Sequence, residues 1–224
     1  MRAAAHRTER RADALSKERI VAAAIEILDA EGERALTFRA LAKRLSTGAG
    51  AIYHHVTDKD QLLAAATEYV IAGALRPRPD GADPAQVIRV VALGMFDVID
   101  AHPWVGTELA RQPWQLAMVA IFEAVGGQLH ALGVAEQDLF DAGSALVNYI
   151  LGVAGQNAAN ARLMPAGTDR AALLDDIAER WLHYDAESHP FVHRAAEQLR
   201  GHDDREQFLA GIGIFLAGVR ARIG

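Results

Sequence analysis

A chain of 224 residues with 51% hydrophobic and 23% charged side chains can bury a core unaided and is long enough for a small domain beside a larger one. Cysteine is absent, which excludes disulfides, thiolate metal sites and cysteine nucleophiles, and nothing points to an oxidising compartment. The net charge of −6 excludes a surface coated by a polyanion, because an acidic surface repels phosphate. The charge is unevenly spread, however. Residues 1–60 hold 11 Lys+Arg against 9 Asp+Glu, whereas the remainder is acidic, so the head is the one region that does not repel a phosphate backbone. Neither a signal-type apolar run near Met1 to Lys17 nor a bilayer-length stretch occurs, so the expectation is a cytoplasmic protein with no membrane partner.

In chain order, residues 1–15 come first. Arg2, Arg7, Arg10 and Arg11 make a basic arm without apolar periodicity, expected to lack regular structure until it meets a partner; a merely solubilising tail is the plainer alternative. Ser16 then caps a helix with the apolar stripe Ile20, Ala24, Ile27 and Leu28, stopped by Gly32. Thr37 caps a second helix whose Phe38, Leu41, Ala42 and Leu45 share one face. A turn-rich break from Ser46 to Gly50 precedes a third, very short helix. There Ile52 and Val56 lie one turn apart and can bury, while Ala49, Gly50, Ala51, Tyr53 and His54 point elsewhere.

Two short helices around a tight turn, the second exposing small and polar residues, is a helix-turn-helix layout. A reading helix must enter a major groove about 12 Å wide, which Gly48, Ala49, Gly50 and Ala51 permit. Tyr53, His54 and His55 can donate to phosphates, and Asp58 caps the next helix with Gln61 three residues on and the cation of Lys59 at its start. The alternatives are structural: Tyr53 packing on the first helix, and Arg39 and Lys43 as a solvated stripe, the reading that prevails for Lys43. His54 and His55 cannot share a metal, since adjacent helical positions diverge by about 100°.

The runs Ala35 to Leu45, Gly50 to Val56 and Asp58 to Leu63 together resemble the DNA-binding domain of the TetR family of regulators. The resemblance covers about the first third of the chain, with several motifs in order. It implies DNA contacts from Thr37, Arg39, Ala51, Tyr53, His54, His55 and Lys59. It also implies a ligand-responsive transcriptional repressor, not an enzyme, that binds a palindromic operator in double-stranded DNA as a homodimer and is released by a small effector. The sequence departs from the family at Gly48, where Ser or Thr is usual, and near Ala49, where a longer polar residue is usual. Where tetracycline repressors place a magnesium-chelating histidine, this chain has Leu109 or Ala110, so that drug is not the expected effector; no metal site and no cofactor are expected.

The expected fold is all-α: a three-helix head with its connecting helix over 16–75, then a helical ligand-binding and dimerisation domain over 84–224. Between them, Arg76 to Pro84 carries three prolines and a glycine, which marks a connection. Helices are expected at Pro84–Ala101, Pro103–Ala110, Pro113–Leu132, Ala135–Leu163, Thr168–Asp185, Pro190–Leu199 and Asp203–Ile223. The fourth and last of these mix large apolar residues with Gly and Ala on nearly every side, which suits close packing against a second subunit. Residues 207–218 resemble, more loosely, the dimer-forming last helix of the TetR family.

An apolar effector cavity is expected around Phe96, Trp104, Trp114, Met118 and Phe122, with His102, Asn148 and Gln156 as polar fixing points. Ordinary core packing is the competing reading for each apolar residue. Two other classes compete with the repressor: a helical small-molecule-binding dimer without operator specificity, and a metal-binding enzyme built on His183, His189 and His193. Against the enzyme, the chain lacks the GxxxxGK, GxGxxG, GxSxG and HExxH patterns.

Overall fold

The computed structural model describes residues 15–76, 81–164 and 167–223. Apart from Leu15, the basic arm expected over 1–15 lies outside the described residues, as do 77–80 of the proline-rich connection. Among the described residues all regular structure is helical.

Helix α1 (Lys17–Glu31) begins where expected, with Ser16 Oγ accepting the Arg19 N–H, and ends at Gly32 with φ +77° and ψ 176°, a backbone region open in practice only to glycine. A 3₁₀ turn, Glu33–Ala35, leads into α2 (Phe38–Arg44), where Thr37 Oγ1 accepts the Ala40 N–H at 3.1 Å. The end of α2 is a Schellman turn: Thr47 N–H bonds Ala42 O and Ser46 N–H bonds Lys43 O, with Ser46 at φ +51° where glycine usually stands. Helix α3 (Ala49–Tyr53) follows directly, then α4 (Lys59–Ala74), whose cap Asp58 accepts the Gln61 N–H at 2.8 Å. Gln61 answers with a bond of its own, its Oε1 accepting not from the cap residue Asp58 but from Thr57 N–H, one residue further upstream.

Helix α4 is shared by two layers. It packs on α1 on one side and on α5 (Pro84–Ala101), α6 (Trp104–Arg111) and α7 (Leu116–Ala131) on the other. One continuous cluster of buried side chains therefore runs from Ile20 in α1 through Leu62, Ala66 and Ile71 in α4 to Ile88, Met95 and Ile121. Where α4 and α5 meet, a Cβ on Gly94 would come within 3.0 Å of Ala74 Cβ, so the backbones approach closely.

Helix α8 (Leu139–Leu163) packs on α5 and α7, and α11 (Asp204–Ile223) covers α8 and α5. Expected and observed ends differ by local chemistry. The stretch after Ala135 opens with a separate 3₁₀ turn, Glu136–Asp138, and the helix expected from Thr168 starts at Arg170 because Asp169 caps it. Tyr149 of α8 sits in a notch at Gly211 of α11, donates to Phe208 O at 3.1 Å and stacks on the Phe208 ring.

Helices α9 (Arg170–Leu182) and α10 (Pro190–Arg200) pack on each other as a hairpin. Their buried residues Leu174, Ala178 and Ala196 do not join the main cluster. Arg170 ties the hairpin to Asp204 of α11, and Arg200 bridges Asp175 and Glu179 within it. No helix among the described residues is long and apolar enough to cross a membrane.

Candidate nucleic-acid interface

The sequence that builds the α2–α3 corner also decides its outer face. Ile52 and Val56 are buried, as their one-turn spacing requires, and with Leu41 and Ala42 they anchor the two helices to α1 and α4. The opposite side is left to Gly50, Tyr53, His54 and His55, all exposed, beside half-buried Ala49 and Ala51. A Cβ on Gly48 or Gly50 would meet nothing within 4 Å, so the leading edge of α3 is open.

Tyr53 is not buried. Its ring stacks on Phe38 at 4.3 Å and 4° while remaining 52% exposed. That contact fixes the ring plane through one neighbour and leaves its edge to solvent. Thr37 uses its oxygen as an acceptor for the cap and keeps its hydroxyl hydrogen as a donor. Arg39, Lys43 and Arg44 are exposed, and Arg44 pairs with Glu26 of α1 at the surface. Lys59 is placed differently from the other six candidates: its Nζ donates to Glu33 O at 2.8 Å and lies 3.4 Å from Glu33 Oε1.

Behind this corner, α6 is fastened at its start to the end of α1 and at its finish to the 3₁₀ turn that follows α1. At the start, Asp29 Oδ1 accepts from Trp104 Nε1 at 2.7 Å and pairs with His102 Nδ1 at 2.8 Å. At the finish, Arg111 Nη1 reaches Glu33 Oε1 at 3.0 Å and Nη2 reaches Glu108 Oε2 at 2.5 Å, with Asp60 Oδ1 at 3.8 Å. Glu108 is only 3% exposed, and its Oε1, like Oε1 of buried Gln115, has no hydrogen-bond partner. Burial pushes the Glu108 carboxyl up from its usual range; Arg111 opposes this, while the charges of Glu33 and Asp60 add to it. Burial also pushes Glu33 up, but there Arg111 and Lys59 outweigh it and hold the carboxyl below its ordinary value.

The eight candidate effector residues do not converge on one cavity. Phe96, Trp104 and Met118 are buried and Phe122 is half-buried, all among the main core. Trp114 is 90% exposed at the corner before α7, because the helix expected from Pro113 starts only at Leu116. Asn148 and Gln156 are also exposed. They lie in phase with exposed Gly152, opposite the face of Leu146, Val147, Ile150 and Ala154, so the helical period turns them away from the core. His102 is committed to Asp29.

A cavity of about 670 Å³ lies elsewhere, between the first turns of α8 and the last turns of α11, lined by Ala142, Ala145, Ile214, Phe215 and Gly218. It opens on the face where the small residues of both helices collect. In the α9–α10 hairpin, His183 Nδ1 and His193 Nε2 are bonded to backbone carbonyls and His189 Nδ1 to Ser188 Oγ. No three His, Asp or Glu residues among the described residues are arranged to hold a metal.

The model for bacterial regulatory proteins of the tetR family matches residues 20–66, the span from α1 into α4. An HTH-type transcriptional regulator of Saccharopolyspora erythraea is 31% identical over 213 residues, 94% of this chain and 86% of the relative. The solved transcriptional regulator SCO7222, a TetR from Streptomyces coelicolor, is 50% identical with a TM-score of 0.86, covering 94% of this chain and 100% of that one. The chain belongs to the TetR family. This TetR-family transcriptional regulator also superposes on ActR of Streptomyces coelicolor, solved in complex with actinorhodin, at 26% identity and a TM-score of 0.77 over 94% of this chain and 97% of that one.

For a TetR-family chain, the corner from Thr37 to Val56 was readable in sequence because its signals are local. The fastening of α6 was not. Asp29 and Trp104 are 75 residues apart and Glu33 and Arg111 are 78 apart, so no spacing rule connects them. The only sequence hint was the acidic cluster around Gly32, opposite a later Arg.

Proposed function

We propose that this TetR-family regulator is a ligand-responsive repressor that binds a palindromic operator as a homodimer and leaves it when a small, largely apolar effector binds. The observation that carries the operator reading is the α2–α3 corner. Leu41, Ala42, Ile52 and Val56 are spent inward, and the outer edge combines open glycines with Tyr53, His54, His55, Thr37 and Arg39, the chemistry that lets a helix enter a major groove and hold its walls. Ala51 is the residue placed against base edges, and Lys59 reaches phosphate on leaving Glu33. Residues 16–75 form the reading unit and 84–224 the ligand-binding and dimerisation unit. The 27% identical relative from Streptomyces coeruleorubidus, named as an HTH-type transcriptional repressor, supports the sign of regulation.

Dimerisation is supported by the outer stripes of α8 (Ala145, Gly152) and α11 (Ala210, Ile214, Ala217, Gly218), exposed in the single chain yet poor in charge. Paired subunits would set two reading helices about 34–36 Å apart, one turn of duplex. The effector reading rests on Phe96, Trp104, Met118 and Phe122 of α5, α6 and α7, all part of or packed against the main core; ActR, a relative of the same fold, was solved with small molecules bound. Asn148 and Gln156 belong to the subunit-facing stripe in this reading, not to the effector site.

A gel-shift series on DNA upstream of the protein's own coding region tests the proposal. Sequence-selective, salt-sensitive binding at a two-fold symmetric site is the expected result. Equal affinity for random duplex would leave a helical dimer without operator specificity.

A further inference from the structure

Glu33 Oε1 is one atom at which two cations meet: Arg111 Nη1 from α6 at 3.0 Å and Lys59 Nζ from the head of α4 at 3.4 Å. We propose that Glu33 is a positioning residue that withholds Lys59 from the operator, and that Arg111 sets how firmly it does so. This rests on the reading of Lys59 as a phosphate contact. In the free chain Lys59 is not extended toward the outer face of α3 but folded back on Glu33, donating to its carbonyl as well as facing its carboxylate. A phosphate must therefore compete with Glu33 for the ammonium.

Arg111 enters because one carboxylate charge is divided between two counter-ions. While Arg111 neutralises Glu33 at the shorter distance, Lys59 is held weakly and is available to phosphate. If the end of α6 is drawn back, Glu33 turns its whole charge on Lys59. The geometry makes such a movement count at this point: α6 is fixed at its start through Trp104 and His102 to Asp29, so a shift of its far end changes the Arg111 to Glu33 distance directly. Glu108 and Asp60 add two more carboxylates around Arg111, and a guanidinium shared among three acids is easily redistributed. The ladder Glu108–Arg111–Glu33–Lys59 thus runs from the effector unit to a DNA-contacting cation without passing through the length of α4.

The test is fluorescence anisotropy of the full chain on an operator duplex that wild type selects over random DNA, repeated across a salt series. Glu33→Gln should bind about 3- to 10-fold more tightly, in line with the release of half-exposed ion pairs in two subunits. Its salt dependence should steepen by about 0.9 per freed lysine. In a Lys59→Gln background the same substitution should change nothing. Arg111→Gln should weaken binding, and Glu33→Gln should restore it in the double variant. Thermal melting accompanies each variant, since Arg111→Gln strips buried Glu108 of its partner; should it fail to fold, the Glu33 and Lys59 arms decide alone. Weaker or unchanged binding by Glu33→Gln, or a gain that persists without Lys59, overturns the proposal while leaving operator binding intact. A wild type that selects no duplex overturns the operator reading itself, and this inference with it.

Discussion

Two regions of this regulator expose small residues, and they do so in opposite company. At the head of α3, Gly48, Gly50 and Ala51 stand beside Tyr53, His54, His55 and Arg39. On the outer stripes of α8 and α11, Ala145, Gly152, Ala217 and Gly218 stand beside Ile214, with the 670 Å³ cavity, whose lining also holds Asp138, Asp141 and Arg222, between the two helices. A missing side chain lets something come close; the neighbours decide what. Donors and a cation favour a hydrated polyanion, whereas apolar neighbours favour a surface from which water is expelled.

The comparison breaks most clearly at Ile214, which is 76% exposed and so has little to do in an isolated chain. Ile214→Glu should leave the melting temperature of the single subunit nearly unchanged, yet abolish the dimer in sedimentation and lower operator affinity by about 100-fold or more, because linked reading helices lose their shared gain. An unchanged dimer would remove α11 from the interface. At the other region, Gly50→Leu should weaken operator binding by about tenfold to a hundredfold, comparable to one or two lost base contacts. The same change should hold or raise stability, since nothing lies within 4 Å of the new Cβ and a helical glycine costs about 0.5–1 kcal/mol. Equal affinity would mean that this edge does not enter a groove.

Within α11 the glycines themselves differ, which sharpens the contrast. A Cβ on Gly211 would lie 1.8 Å from the Tyr149 hydroxyl, so Gly211→Ala should cost about 1–3 kcal/mol in denaturant unfolding as Tyr149 is displaced from Phe208. Gly218→Ala, with nothing within 4 Å, should stay within about 0.5 kcal/mol by the same measurement on a monomeric background. Opposite in sign to Gly211→Ala is Ser46→Gly: it relieves a left-handed residue in the turn before α3 and should raise stability by up to about 1 kcal/mol. Operator affinity should not change, since the turn keeps its shape.

What could be read from the sequence was what is written locally. The caps at Ser16, Thr37 and Asp58, the stop at Gly32 and the start at Pro84 all depend on a residue and its neighbours within a turn. The inward face of α3 followed from the spacing of Ile52 and Val56. The effector residues were harder because composition does not give helical phase: Asn148 and Gln156 look like polar anchors among apolar neighbours until Leu146, Val147 and Ile150 fix which way the helix faces. Trp114 suffered from a boundary, since two residues outside the helix, Trp114 itself and Gln115, separate Pro113 from the start of α7. The bonds that tie α6 to α1 and to the 3₁₀ turn after it join side chains more than seventy residues apart and belong to packing alone.

The α9–α10 hairpin has three buried residues of its own, Leu174, Ala178 and Ala196, and shares none with the main core. Its cohesion is therefore separate from that of the rest, and local opening should be cheaper there than anywhere in the α4–α5–α8 body. On heating, this pair of helices should melt first as a unit, its amides exchanging with deuterium while those of α5 and α8 remain protected. Cooperative unfolding of the molecule is thus built in two stages, the outer one held by Arg200 and the Arg170 to Asp204 bridge.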